Sequence, residues 1–231
     1  RLRPPHPRAT TSPMTSDAPP DPDTAALVAN DPDFDVYVRQ QAKRALRDKM
    51  RALRASVPAE MRSKRSLAIA QQLLTLPELA RASTVLTFLP IKGEPTLEVL
   101  HSGLRERGVT LALTRVDPET DTLEVARFDG EDGLVYGSYG LREPPPDAAA
   151  VALDAIDVVL VPGLVMDLRG HRIGYGKGHF DRLLVRLPTA FRCRVCYDFQ
   201  LVGEAPCLPH DVPLHAVVTD QQVVRPDPVA P

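Results

Sequence analysis

The order of apolar runs and helix-forming segments predicts an α/β fold: a single three-layer domain with a mixed, mainly parallel sheet flanked by helices and a helical pair at its N-terminal end. Three observations carry this expectation. Short runs of Val, Ile and Leu alternate with longer stretches of helical periodicity. A length of 231 residues with 43% apolar content suits one ordinary core. No segment repeats at a fixed period, which sets aside solenoid architectures.

The elements follow in order. Residues 1–32 contain Pro4, Pro5, Pro7, Pro13, Pro19, Pro20 and Pro22 and few large apolar side chains, so a disordered leader is expected. Met14 is the expected natural start, and the prolines oppose the amphipathic helix of a targeting peptide. Residues 33–222 form the expected domain. Residues 34–56 place Ala42, Leu46, Met50 and Leu53 at steps of four, four and three, which predicts a helix with that face apolar. Pro58 opens a second helix over 59–76, antiparallel to the first, and Pro77 ends it or starts another turn. Residues 85–89, 96–107 and 109–114 then give strand, helix and strand. The pattern resumes with a strand at 156–161, a helix at 177–187, a strand at 194–197 and a last short strand at 215–218. Pro226, Pro228 and Pro231 mark residues 223–231 as a loose tail.

Charge and cysteine content narrow the partners. A net charge of −2 gives no global basic field for nucleic acid, so any anion site is local. No apolar run approaches the roughly 20 residues that span a bilayer. No membrane partner is expected, and the reading is of a cytoplasmic monomer. Three cysteines occur, and Cys193 and Cys196 fall in an apolar strand-like run where an odd step sends their side chains to opposite faces. Buried, reduced thiols fit that placement better than a zinc or redox pair.

The densest chemistry lies in Gly170-His171-Arg172-Ile173-Gly174-Tyr175-Gly176-Lys177-Gly178-His179-Phe180-Asp181-Arg182, beyond the apolar run 158–161. Alternating glycines let backbone N–H groups converge on one point, and Lys177 adds a full positive charge there. A helix starting near Gly178 favours the same anion, and Asp181 can face a metal carried by a nucleotide. A Walker A loop is excluded because Gly178 follows Lys177 where a hydroxyl residue belongs. The spacing Gly-x-Gly-x-Gly also departs from the dinucleotide fingerprint. In an open α/β sheet the loop after Phe88, the glycine loop and the segment after Tyr197 fall beyond strand ends, where ligands bind.

Together with Asp157 to Leu164, Asp167 and Gly170, this stretch resembles the signature of the 5-formyltetrahydrofolate cyclo-ligase (5,10-methenyltetrahydrofolate synthetase) family. Further segments agree in order: Lys43-Arg44-Ala45-Leu46-Arg47, Phe88-Leu89-Pro90 with Glu94 and Thr96, Tyr139-Gly140-Leu141 with Glu143-Pro144, and Glu204-Ala205-Pro206 with His210-Asp211. The match spans residues 35–220. Five ordered motifs are more specific than any one glycine loop.

The resemblance implies a ligase of one-carbon metabolism that takes 5-formyltetrahydrofolate and ATP with magnesium. It implies ATP contacts from Lys43, Arg47, Gly174, Tyr175, Gly176, Lys177, Gly178 and His179, with Lys177 and Arg172 acting on the moving phosphoryl group. Glu94 resembles the carboxylate that holds the pterin edge, with Phe88, Tyr139 and Phe180 as folate wall. Asp181 and Asp211 are the expected magnesium ligands, since that ion takes oxygen donors, often one or two carboxylates plus phosphate. His179-Phe180 stands where the family commonly has Tyr-Tyr, which removes two hydroxyls. A rival expectation is a non-catalytic folate- or nucleotide-binding module of the same fold.

Overall fold

The computed structural model describes residues 32–208 and 211–226. The expected leader up to residue 31, His210 of the closing motif, and residues 227–231 of the tail lie outside the described residues. The chain divides into two units between Val38 and Arg39. In the first, residues 32–38 open helix α1 (Pro32–Ser56), with Asp33 and Asp35 in the first turn, where acids suit the helix dipole. Both larger sheets and the residues of the candidate site belong to the second.

After α1 come α2 (Ala59–Leu74) and the short α3 (Pro77–Arg81), with Pro77 at the position where a missing N–H does no harm. Strand β1 (Thr84–Leu86) leads through α4 (Glu98–Glu106) to β2 (Thr110–Asp117), which turns into β3 (Thr122–Arg127). A small hairpin follows, β4 (Val135–Tyr136) and β5 (Arg142–Glu143). The chain then forms β6 (Val158–Val161), β7 (Val165–Asp167), β8 (Arg172–Ile173), α5 (His179–Val185) and β9 (Phe191–Val195). It closes with β10 (Leu201–Val202), β11 (Ala216–Val218) and β12 (Val223–Val224).

The main sheet has seven strands in the order β12-β11-β9-β6-β1-β2-β3. Its five central strands are parallel, and β3 and β12 add antiparallel edges. A second sheet, β10-β7-β8, stands beside it. The alternation of β6 sorts the core: Val158 and Leu160 join Ile69 and Leu73 of α2 and Leu100 and Leu104 of α4, while Val159 and Val161 join Leu183 and Leu184 of α5 on the other face. Each such fully buried leucine contributes about 2 kcal/mol. This is the mixed, mainly parallel sheet between helices that the sequence predicts. Among the described residues no helix is long and apolar enough to cross a membrane.

Several elements depart from expectation for physical reasons. The first helix buries Lys43, Met50 and Arg54, whereas Leu53 of the expected apolar face is 43% exposed. Steps of seven and four bring these three to one side, and the two basic members stay buried because polar groups meet them, as set out below. Strand β1 stops at Leu86 instead of residue 89, before Pro90, which lacks a backbone donor. Strand β9 starts at Phe191, three residues early, because Arg192 and Arg194 interrupt its apolar pattern. The sheet also runs into the expected tail: Val223 and Val224 pair with Val218 and Val217, and Arg225 reaches Glu78 at 2.8 and 2.9 Å. Cys193 and Cys196 are free, buried and on opposite faces of the sheet, as the sequence predicts.

Candidate active site

Strands β1 and β6 are parallel neighbours with Val85 opposite Val158, yet the chain leaves them in opposite directions. From β1 it crosses to β2 on one side; from β6 it moves on to β9 on the other. A crevice therefore opens beyond Leu86 and Val161, at the point where the winding reverses. Here lies a cleft of ≈ 1400 Å³. All of the residues singled out from the sequence line it: Lys43 and Arg47 from α1, Phe88 and Glu94 after β1, Tyr139 of the β4–β5 turn, Arg172 to Asp181 around the glycine loop, and Asp211.

The floor is a buried polar cluster. The Tyr175 hydroxyl donates to Glu94 Oε1 at 2.7 Å and accepts from Arg54 Nη2 at 2.6 Å. Arg54 Nε also donates to the Lys92 carbonyl at 2.9 Å, and its Nη1 lies 3.6 Å from Glu94. Glu94 further accepts from the Ile91 N–H at 3.2 Å. Burial pushes the Glu94 carboxyl above its usual range, against the pull of Tyr175 and Arg54. Tyr175 is raised as well, first by burial and then by the Glu94 charge. Phe88 is buried in the core and also lines the cleft.

The glycine loop bends where its glycines allow. Gly176 and Gly178 hold φ of 102° and 68°, a left-handed region that costs other residues energy, and Gly178 caps α5. Arg47 Nε donates to the Gly174 carbonyl at 2.9 Å and so ties the loop to α1. Burial lowers the Arg47 pKa, and Arg51 lowers it further. Lys177 is exposed, with its ammonium 5.1 Å from the centre of the Tyr139 ring. The Tyr139 hydroxyl donates to Asp121 Oδ1 at 2.5 Å, and His179 Nε2 lies 3.3 Å from Asp121 Oδ2. These contacts hold the Asp121 carboxyl below its usual range, the Tyr139 hydrogen bond most of all. Phe180 packs partly against the core, 5.9 Å from the Arg172 guanidinium.

The two expected metal ligands each face a cation. Arg172 Nη2 lies 2.7 Å from Asp181 Oδ1, and Lys43 forms a buried ion pair with Asp211. Asp211 also accepts from the Leu208 N–H at 2.8 Å. Among the described residues no group of three or more His, Cys, Asp or Glu side chains could hold a metal by itself. The donor set fits a magnesium ion that arrives with its nucleotide, because phosphate and water then supply most of its oxygen shell. Each pair sets one carboxylate beside one cation.

Arg54 and Asp121 belong to this site and were not singled out from the sequence. Arg54 was legible in principle: it lies 11 and 7 residues beyond Lys43 and Arg47, on the same helix face. Asp121 gives no such signal. It sits in the β2–β3 turn at φ 52°, and only the tertiary fold brings it to Tyr139 and His179.

Fold and cleft define an α/β protein whose ligand site, at the winding reversal of the sheet, is lined by a glycine loop, basic side chains and buried carboxylates. Residues 39–220 match the model of the 5-formyltetrahydrofolate cyclo-ligase family, and the chain belongs to that family. It is 35% identical to the 5-formyltetrahydrofolate cyclo-ligase of Mycolicibacterium smegmatis over 79% of this chain and 95% of that one. With the enzyme of that name from Escherichia coli K12 it shares 30% over 75% and 98%. Among solved structures, the Aquifex aeolicus 5,10-methenyltetrahydrofolate synthetase superposes with a TM-score of 0.71 and 31% identity, covering 82% of this chain and 95% of the other.

Proposed function

We propose that the protein catalyses the ATP- and magnesium-dependent cyclisation of 5-formyltetrahydrofolate to 5,10-methenyltetrahydrofolate, releasing ADP and phosphate. The observation that carries this reading is the convergence in one cleft of residues drawn from five separated segments of the chain. Family membership supports it, as does the similarity to the cyclo-ligases of Mycolicibacterium smegmatis and Escherichia coli.

The chemistry follows from the substrate. An amide-like formyl oxygen is a poor leaving group until it is phosphorylated. Transfer of the ATP γ-phosphoryl group to that oxygen gives a phosphorylated intermediate; N10 then attacks the carbon, and the oxygen departs as phosphate. No protein nucleophile is needed, so the protein's share is positioning and charge neutralisation. Lys177 and Arg172 stabilise the moving phosphoryl group, while Lys43, Arg47 and the N–H groups of residues 174–179 hold the nucleotide phosphates. Asp181 and Asp211 would hold the magnesium, which supplies charge neutralisation at the phosphates when bound. Glu94 accepts hydrogen bonds from the amino-pyrimidinone edge of the pterin, and Phe88, Tyr139 and Phe180 form the folate wall. We place this activity in the cytoplasm, in a monomer.

The test is to mix purified protein with 5-formyltetrahydrofolate, ATP and magnesium and follow the absorbance of methenyltetrahydrofolate. Product is expected only when all three are present. Binding of both substrates without product would instead make the protein a folate- and nucleotide-binding module.

A further inference from the structure

Three segments that are far apart in the sequence meet at Asp121, in the turn between β2 and β3. One carboxylate oxygen accepts from the Tyr139 hydroxyl at 2.5 Å, and the other lies 3.3 Å from His179 Nε2. The Asp121 carbonyl accepts from Arg182 Nη2 at 3.3 Å, and Arg182 Nη1 donates to the Lys177 carbonyl at 3.1 Å. The rings of Tyr139 and His179 stand 5.7 Å apart, with the Lys177 ammonium 5.1 Å from the centre of the first. Tyr139, Lys177, His179 and Arg182 all line the cleft.

The turn does not need this carboxylate in order to form. Asp117 closes it, accepting from the Glu119 N–H at 2.9 Å and the Thr120 hydroxyl at 2.6 Å, while the Asp117 carbonyl accepts from the Asp121 N–H at 3.0 Å. Both side-chain oxygens of Asp121 are therefore spent on other segments, from a residue held at φ 52°, where a side chain costs energy. The clasp is also weak. The Asp121 side chain is 57% exposed and Tyr139 is 43% exposed, and charged contacts so open to water contribute little, so the clasp is closed only part of the time.

We propose that Asp121 is a positioning residue that couples the two halves of the cleft, so that nucleotide in the glycine loop tightens the hold on folate and folate tightens the hold on nucleotide. The inference rests on the proposed function, in which Tyr139 belongs to the folate wall and Lys177 and His179 to the nucleotide loop. A nucleotide that settles residues 174–179 settles His179, and through Asp121 it settles the Tyr139 hydroxyl. The second ligand then meets a wall that is already closed. Asp121 acts through Tyr139 and His179, and the effect is equal in both directions because it is one coupling free energy.

The experiment titrates 5-formyltetrahydrofolate by calorimetry with and without saturating Mg-ADP, in the wild type, Asp121→Gly, Tyr139→Phe and the double variant. Glycine suits φ 52° and removes the carboxylate without straining the turn. A clasp closed about a third of the time predicts that Mg-ADP tightens folate binding to the wild type about threefold, and that folate tightens Mg-ADP binding by the same factor. In Asp121→Gly the ratio is expected near one. Tyr139→Phe keeps the ring and loses the hydroxyl, so its ratio is also near one and the double variant changes it no further. A residue that only braced the loop would weaken both titrations alike and leave the ratio at its wild-type value in Asp121→Gly, which overturns the proposal. A wild-type ratio of one overturns it too. If the wild type does not bind both ligands, the proposed function falls and the coupling with it, whereas turnover with a ratio of one removes the coupling alone. Should Asp121→Gly fail to fold, Tyr139→Phe decides by its own ratio.

Discussion

The Tyr175 hydroxyl joins two buried charges: it donates to Glu94, 81 residues earlier in the chain, at 2.7 Å, and accepts from Arg54 at 2.6 Å. It therefore links the glycine loop to both α1 and the segment after β1. Tyr175→Phe leaves a buried guanidinium N–H and a carboxylate oxygen each short of a partner. The expected loss is about 2 kcal/mol of stability, seen as a lower urea midpoint, together with a KM rise for folate larger than that for ATP. An unchanged midpoint would show that this hydroxyl is not holding the cluster.

Lys177 is exposed, with its ammonium over the Tyr139 ring, so its removal should leave the fold intact. If its charge acts on the phosphoryl group in flight, Lys177→Ala costs about 3 kcal/mol of transition-state stabilisation, roughly a hundredfold in kcat/KM. Steady-state kinetics on a variant with wild-type melting behaviour checks this. A kcat/KM for ATP equal to wild type removes Lys177 from the mechanism.

Asp181→Asn has two readouts. The amide keeps the carboxylate's shape but leaves Arg172, 2.7 Å away and nearly fully buried, without its countercharge, so stability should fall by roughly 3 kcal/mol. If Asp181 also holds magnesium, the activation curve moves to higher magnesium as well. A loss of stability with a superimposable magnesium curve would confine Asp181 to bracing Arg172. Asp211→Asn should show the same pattern more weakly.

Stability should also depend on pH through a residue that does not line the cleft. Burial lowers the pKa of His101 to about 4 from its ordinary 6.5, and its Nε2 lies 2.9 Å from the Thr87 hydroxyl. Between those values the unfolded ring takes up a proton that the folded ring refuses. The contribution is therefore full above pH 6.5 and is lost as pH falls toward 4, on the order of 3 kcal/mol in all. Urea unfolding of wild type and His101→Gln between pH 4 and 7 should show a flatter profile in the variant; equal slopes would assign the titration to another group.

The sequence made the sheet legible because β1, β2, β6 and β11 are short apolar runs bounded by turn residues. It hid β3, where Glu124 breaks an apolar run, and the β4–β5 hairpin, whose second strand is Arg142-Glu143, because there pairing, not periodicity, decides the strand. The site residues were legible where one local motif carries them, as from Arg172 to Asp181. They were hidden where a charge is buried: helix spacing puts Arg54 on the face of Lys43 and Arg47, but its burial rests on partners, Glu94, Tyr175 and Lys92, that lie at least 38 residues away. The same blindness made Leu53 look like core.

The two thiols on opposite faces of the sheet give this protein a built-in clock. Burial pushes the Cys196 thiol up to about 11 and raises Cys193 well above its ordinary value, so neither offers a thiolate to a reagent while the sheet is intact. Cys207, half-buried, answers instead to the loop in which it sits. An alkylating dye would thus mark Cys207 during small excursions of that loop, and Cys193 and Cys196 only when both layers of helices part from the strands between them. Counting labels per molecule over time would separate breathing at the rim of the cleft from opening of the whole domain, with no engineered probe.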